Sequence, residues 1–348
     1  MNQTEKIKAG VIGATGYAGA ELIRLLSAHP AVEIAAVSSI SFEGQTMDAV
    51  YPNLAGICSL TLKKAEDVVA ASDVVFTSLP HGLSEPIARL CIDQGKVLID
   101  FGADFRLHEE AQYTKWYDGK VFTEPALHQL AVYSIPELHR SLIGQAPIIA
   151  NPGCYPTSIA LGLAPLMKAG VVTTDHIIVD SKSGVTGAGR SLTQGTHYPD
   201  TNEAFSAYKA GVHRHTPEIE QTLSELAGKP IKVTFVPHLL PVNRGIESSI
   251  YLPMKKSKAE IRALYEEFYK GERFVRLMRD GEYANIKNVR VSNYCDISLH
   301  FDAHTETLIV SSVIDNMVKG AAGQAIQNMN IRFGFEEAAG LLSAPPIF

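Results

Sequence analysis

Seven residues near the N-terminus, Gly13-Ala-Thr-Gly16-Tyr-Ala-Gly19, constrain the fold more than any other stretch of the chain. They follow an apolar, β-prone run at 7–12. They open a run at 18–28 in which Leu22, Ile23, Leu25 and Leu26 recur at helical spacing. Glycine lets a chain turn tightly and lets its backbone approach a pyrophosphate, and the helix behind it presents free N–H groups to that anion. The GxxGxxG spacing alone would also suit a plain strand-to-helix turn. Its place inside a strand–helix–strand unit is the context that gives the motif meaning. Gly13, Thr15, Gly16, Tyr17 and Gly19 are therefore candidate cofactor contacts.

Further strands are expected at 32–37, 74–79, 96–100 and 147–150, with a helix at 84–94. This alternation predicts an α/β fold, a doubly wound parallel sheet with helices on both faces. From Asn151 the character changes. Helices are expected at 157–169, 217–227 and 258–269, and strands at 176–183, 231–235, 245–252, 295–301 and 307–313. Runs of strands with few crossover helices suggest an antiparallel or mixed sheet. A long Ala- and Gly-rich helix at 315–333 follows. The uncharged stretch 141–167 carries Pro147, Pro152, Pro156 and Pro165, which would break a bilayer helix of about 20 residues. It reads instead as a strand, a turn and a buried helix.

The 348 residues suffice for about two domains. A net charge of −6 provides no basic field for nucleic acid or anionic membrane. Four cysteines without a CxxC pair make neither a disulfide framework nor a zinc site, so no metal is expected. The N-terminal run MNQTEKIKAG has no apolar signal core, and a reduced, cytoplasmic protein is the expectation.

The end of the second strand bears on the cofactor. An NAD enzyme usually places a carboxylate there for the ribose hydroxyls. Counting about 20 residues from the glycines reaches Glu33, which starts the strand rather than ending it. The strand ends at Ser38-Ser39-Ile40-Ser41, where Ser38, Ser39 and Ser41 could donate to a 2′-phosphate, so NADP(H) is favoured. In Leu79-Pro80-His81-Gly82, Pro80 and His81 follow another strand end and are further cofactor candidates.

Asn151-Pro-Gly-Cys154-Tyr-Pro-Thr157 lies between a strand and a helix. A thiol at a helix N-terminus feels the positive end of the dipole, which favours the thiolate. Cys58, Cys91 and Cys295 lie in apolar surroundings and read as inert, which leaves Cys154 as the nucleophile. A thiolate beside a dinucleotide suggests an acyl reductase or aldehyde dehydrogenase working through a thioester. Such a site needs an acid–base group and a cradle for the leaving group. His213-Arg-His215-Thr-Pro-Glu218 precedes a helix start and supplies His213 or His215 for the proton, with His215 preferred and Glu218 as an orienting carboxylate. Arg106, Arg190, Arg214 and Arg244 lie in loops where some could converge on a bound phosphate, and Asn151 adds a polar group beside the cysteine.

The segments GATGYAGAEL, LPHG, DFGADFRL, NPGCYPT, SGVTGAGR, AGVHRHTPEI, FVPHLLPVNRGI and IDNMVKGAAGQAIQNMN together resemble the N-acetyl-γ-glutamyl-phosphate reductases of arginine biosynthesis. They run from Gly13 to Asn330 in that family's order. The resemblance implies a Rossmann-type NADP-binding domain, 1–150, completed by a C-terminal helix, 314–348. It implies a second α+β domain, 151–313, of the glyceraldehyde-3-phosphate and aspartate-semialdehyde dehydrogenase type, carrying catalysis and oligomerisation. It further implies an acyl-phosphate substrate, a homodimer or homotetramer, and Ser183, Gly184, Gly187 and Asn316 near the nicotinamide. Rival readings are an aminoadipate-phosphate reductase, an aspartate-semialdehyde dehydrogenase, and an NADP-binding regulator without catalysis.

Overall fold

The computed structural model describes residues 6–174 and 176–348. The reading of the N-terminal decapeptide rests partly on 1–5, outside the described residues. The chain forms two compact units, Met1–Pro152 with Ala321–Leu342, and Gly153–Gly320 with Ser343–Phe348.

The first unit is built on seven strands: β1 (Ile7–Ile12), β2 (Val32–Ser38), β3 (Leu62–Lys63), β4 (Val74–Thr77), β5 (Val97–Asp100), β6 (Ala131–Tyr133) and β7 (Ile148–Ala150). They pair in the order β3-β2-β1-β4-β5-β7-β6, all parallel. Strands buried on both faces read as near-continuous apolar runs. Val74–Thr77, Val97–Asp100 and Ile148–Ala150 are buried throughout, and the polar Thr77 donates to Asp100 at 2.6 Å. The order reverses between β1 and β4, and ligands of such sheets bind beyond the strand ends at that switch. Gly13 and the Ser78–Gly82 turn leave the sheet at this point.

The helix Gly323–Arg332 packs on the helices Pro136–Ile143 and Tyr17–Leu26. It is buried from Gly323 to Asn330 although it contains Gln324, Gln327, Asn328 and Asn330. Buried amides need partners. Asn328 donates to the Ser134 carbonyl at 3.1 Å and Asn330 to the Glu337 carbonyl at 3.0 Å. The expected helix at 315–333 begins only at Val318, as a π-helical turn over Val318–Ala322. The expected first-unit segment 314–348 is also shorter at both ends. Ile314 completes a strand of the second sheet, and Arg290 of the second unit donates to the Phe348 carbonyl at 2.9 Å.

The second sheet comprises β8 (Ile177–Gly184), β9 (Ser206–Ala207), β10 (Val233–Leu240), β11 (Ile246–Pro253), β12 (Val275–Leu277), β13 (Cys295–Asp302) and β14 (Thr307–Ile314). The order is β12-β13-β14-β11-β8-β10-β9, and it is mixed: β8 with β10 and β12 with β13 are parallel, the other pairs antiparallel. Helices Cys154–Ala169 and Thr216–Ala227 pack on one another, and Cys154–Ala169 also lies on β11 and β14.

Helix Cys154–Ala169 contains Pro165 in its interior. Proline there leaves the carbonyl four residues back without its helical donor and pushes the next turn outward. The hydroxyl of Tyr269 donates to the Leu161 carbonyl, and that of Tyr265 to the Gly162 carbonyl at 2.6 Å. The two tyrosines come from the helix Lys258–Phe268 and its cap, and this repair lets the apolar run 141–167 keep its proline. Among the described residues no helix is long and apolar enough to cross a membrane.

Candidate active site

In the first unit the glycine loop has the shape the sequence implied. Gly13 sits at φ +81°, a conformation costly for any residue with a Cβ. A Cβ there would also collide with the Ser78 carbonyl, which shows how closely the β1 and β4 loops pass. A Cβ on Gly19 would collide with the Gly13 carbonyl, so glycine permits the close strand–helix packing. Gly16 caps the helix Tyr17–Leu26 in an extended conformation without a side-chain cap, leaving the first-turn N–H groups facing outward. Tyr17 is 40% exposed at the helix start. These are the features of a phosphate cradle that a side chain would fill, and they fit a dinucleotide.

The second strand end docks onto this loop. The Ser38 carbonyl accepts from Gly13 and Ala14 N–H at 3.1 and 2.9 Å. Thr15 and Ser39 share a buried hydroxyl–hydroxyl bond of 2.7 Å. Ser38 and Ser39 are buried while Ser41 is exposed. Glu33 lies at the far end of β2, roughly 16 Å from Ser38 by strand rise. Pro80 is exposed and His81 half-buried, its ring edge-on to Tyr117 with centroids 5.4 Å apart.

Two substrate candidates also fall in this unit, and both have structural duties. Arg106 is buried and donates to the Phe101 carbonyl at 2.7 Å. Asn151 is buried, donates to the Ala321 carbonyl at 3.1 Å and accepts from Asn328 at 3.4 Å.

The remaining candidates lie in the second unit. Cys154 is the first residue of its helix, three residues earlier than the expected start at 157. Pro156 is tolerated because N–H groups of the first turn have no helical acceptor in any case. Of the four thiols, Cys58, Cys91 and Cys295 are buried and Cys154 is partly exposed. The buried Glu218 carboxylate reaches across from the neighbouring helix and accepts the Gly153 N–H at 2.7 Å. It thus ties down the turn that presents the thiol. On the other side, the π turn brings Gly320 so close that a Cβ there would lie 2.7 Å from that of Cys154. Such π turns often mark functional sites.

His213 and His215 precede the helix Thr216–Ala227 and differ in environment. His213 packs edge-on to Tyr155, Tyr208 and Phe235, with centroids 5.4–5.6 Å away. Its Nδ1 accepts the His215 N–H at 3.1 Å. Burial, with help from Lys209 and Arg214, pushes its pKa down from 6.5 to about 4. It is neutral at physiological pH and holds the backbone of His215. Between pH 6.5 and 4 the unfolded chain gains a proton there that the folded chain does not. The stabilisation is therefore complete above about pH 6.5 and is lost on acidification towards pH 4. The melting-temperature advantage of wild type over His213→Gln should shrink steadily across that window; an advantage independent of pH would contradict a buried neutral His213.

Tyr155 and Tyr208 share a hydroxyl–hydroxyl bond of 3.0 Å. Burial drives both phenols up, that of Tyr208 to about 12. Both remain protonated donors at neutral pH. Neither stood out in the sequence, where a tyrosine carries no catalytic signal of its own.

The nicotinamide-side candidates cluster at the end of β8. Gly184 must be glycine because a Cβ would lie 2.7 Å from the Asn243 carbonyl of the passing 242–245 segment. Ser183 is buried, and Gly187 lies in the turn Val185–Ala188. Asn316 accepts from Gly245 N–H at 2.8 Å and donates to Thr186 Oγ1 at 3.0 Å, which fixes its amide orientation. Arg190 and Arg214 are half-buried. Arg244 pairs with the buried Asp315 at 3.4 Å, and Asp315 also accepts N–H groups of Val291, Met317 and Val318. This carboxylate anchors the π turn, and a lone acidic residue beside Asn316 gave no hint of that.

Comparisons with known proteins agree with both halves. Residues 8–146 match the family described as semialdehyde dehydrogenase, NAD binding domain, and residues 154–316 match semialdehyde dehydrogenase, dimerisation domain. An N-acetyl-gamma-glutamyl-phosphate reductase of Clostridium beijerinckii is 58% identical over 344 residues, covering 98% of this chain and all of that protein. One from Brachyspira hyodysenteriae is 53% identical, again over 98% of this chain and all of that protein. Among solved structures, aspartate semialdehyde dehydrogenase II of Vibrio cholerae aligns with a TM-score of 0.72 at 17% identity, over 95% of this chain and 99% of that one. The Candida albicans aspartate semialdehyde dehydrogenase gives 0.70 at 17%, over 94% and 98%. These distant structures share the fold, and the close relatives share the whole length. The chain belongs to the N-acetyl-γ-glutamyl-phosphate reductase family, with a nicotinamide-dinucleotide-binding domain followed by a semialdehyde dehydrogenase dimerisation domain.

Proposed function

We propose that this enzyme reduces N-acetyl-L-glutamyl 5-phosphate to N-acetyl-L-glutamate 5-semialdehyde and phosphate, with NADPH as cofactor. The observation that carries the chemistry is the partly exposed Cys154 at a helix start, with its turn fastened by Glu218. The full-length identity to reductases of that name supports this substrate over an aminoadipyl or aspartyl one.

In this reading Cys154 Sγ attacks the acyl carbon, the carbonyl π electrons move to oxygen, and phosphate leaves as the thioester forms. The dinucleotide, when bound, supplies a hydride to the thioester carbon. His215 gives a proton to the resulting oxygen and takes it back as the thiohemiacetal collapses. The C–S bond then breaks, releasing the aldehyde and the Cys154 thiolate. His213 holds His215 through its backbone N–H. The protonated Tyr155–Tyr208 pair lies around the same histidines and can donate to an oxygen developing charge. Arg106, Arg190, Arg214 and Arg244 remain the cationic candidates for the phosphate; Arg244 also pairs with Asp315, and Arg106 donates to the Phe101 carbonyl.

NADP over NAD rests on Ser38, Ser39 and Ser41 at the strand end and on the remoteness of Glu33. The match of 154–316 to a dimerisation domain supports a homo-oligomer, and the biosynthetic relatives support a small-molecule substrate handled in the cytoplasm. The test is an assay in the oxidative direction with phosphate present. N-acetylglutamate semialdehyde with NADP should turn over at least about tenfold faster, by kcat/KM, than aspartate semialdehyde with NADP or the same substrate with NAD. One extra or missing group in a pocket is worth about that or more. Equal rates with aspartate semialdehyde would reject the substrate, equal rates with NAD the cofactor choice.

A further inference from the structure

The turn after β4 is gripped by a segment that no cofactor motif nominated. Asp104, 2% exposed, accepts the N–H of Gly82 at 2.5 Å, the N–H of Ser84 at 2.9 Å and the hydroxyl of Tyr113 at 2.9 Å. From the opposite side, Lys120 donates to the His81 carbonyl at 2.8 Å. The His81 carbonyl and the Gly82 N–H are the two poles of one peptide unit. With an ammonium on one pole and a carboxylate on the other, that peptide plane has a single orientation. Gly82 at φ +86° allows the chain to present both poles this way.

The grip is built on packed aromatic rings. Tyr113 and Tyr117 stack with centroids 4.9 Å apart in a small core with Ala103, Leu107, Trp116 and Phe122, and the Tyr117 ring also meets His81. Beneath it, buried Asp100 accepts from Ser84 Oγ at 2.7 Å, Thr77 Oγ1 at 2.6 Å and Gly102 N–H at 3.0 Å. A Cβ on Gly102 would press on both the Asp100 carboxylate and Ser84 Oγ, at 3.0–3.1 Å.

We propose that Asp104 and Lys120 are positioning residues for dinucleotide binding: they clamp the His81–Gly82 peptide so that Pro80 and His81 meet the cofactor already ordered. The proposal rests on reading Pro80 and His81 as cofactor contacts. An ordered loop spares the binding step the entropy of freezing it, so loss of the clamp weakens binding while leaving the chemistry of Cys154 alone.

Lys120 is exposed, and Lys120→Met should fold like wild type. It should raise the NADPH dissociation constant and KM about fivefold, as expected for the loss of one solvent-exposed hydrogen bond of ordinary strength. The kcat at saturating NADPH and the rate of Cys154 alkylation by iodoacetamide should stay within about twofold of wild type, and Lys120→Arg should restore binding. Asp104→Ala should weaken binding by about tenfold or more. If that variant does not fold, the Lys120 pair decides alone. Folded Lys120→Met protein that binds NADPH as wild type does would overturn the clamp. Wild-type protein that binds no dinucleotide at all would overturn the cofactor reading, and the clamp with it.

Discussion

Cys154→Ser lowers kcat by roughly 10⁴-fold or more, the scale on which loss of a nucleophile acts in a covalent mechanism, while NADPH binding stays within about twofold. A serine hydroxyl at the same helix start ionises far above neutral pH, so it offers almost no anion to attack the acyl carbon. No other thiol can replace it. Burial pushes the Cys91 thiol up to about 12 and also raises that of Cys58. Cys295 is buried on β13 with its sulfur 3.5 Å from Ser312 Oγ. Steady-state kinetics and calorimetric titration with NADPH check both halves of the expectation. A Cys154→Ser enzyme that keeps wild-type turnover would remove the thioester route.

His215→Asn should cost about 10²- to 10⁴-fold in kcat, the usual contribution of a positioned acid–base group, and should flatten the pH–rate profile. His213→Asn should cost less and keep the profile's shape. His213 is held neutral by burial and spends its Nδ1 on the His215 N–H. Its loss loosens the backbone of His215 but removes no proton carrier. Paired pH profiles of kcat decide between them. A flat profile in His213→Asn with a normal one in His215→Asn would exchange the two roles.

Much of this site was legible because its signals are local. The glycine loop declares itself within seven residues, and its place between strand and helix follows from hydrophobic period. Cys154 stood apart from the other thiols by its turn context, and the structure leaves it alone partly exposed. Boundaries were less legible. The Cys154 helix starts early because proline is tolerated in a first turn, and it survives Pro165 because tyrosines about a hundred residues away satisfy the freed carbonyls. Two-residue strands such as β3 and β9 have too few residues to show alternation.

The least legible features are long-range polar pairs. Glu218 to Gly153, Arg244 to Asp315 and Asp104 to Gly82 join residues 65, 71 and 22 positions apart. No periodicity encodes such pairs. They give Glu218 and Arg244 partners inside the protein that the sequence does not show. The candidate arginines lie in Gly- or Pro-rich loops, and the partners that Arg106 and Arg244 take inside the protein are tertiary facts.

Covalent transfer of the acyl group to Cys154 can be observed without any hydride step. Mixing the enzyme with N-acetylglutamyl phosphate in the absence of dinucleotide should release about one phosphate per chain in a rapid burst. The intact chain should gain the mass of one N-acetylglutamyl group, mapped to the peptide that carries Cys154 and lost again when NADPH is added. No phosphate burst, or an acyl group found on a residue other than Cys154, would contradict the mechanism.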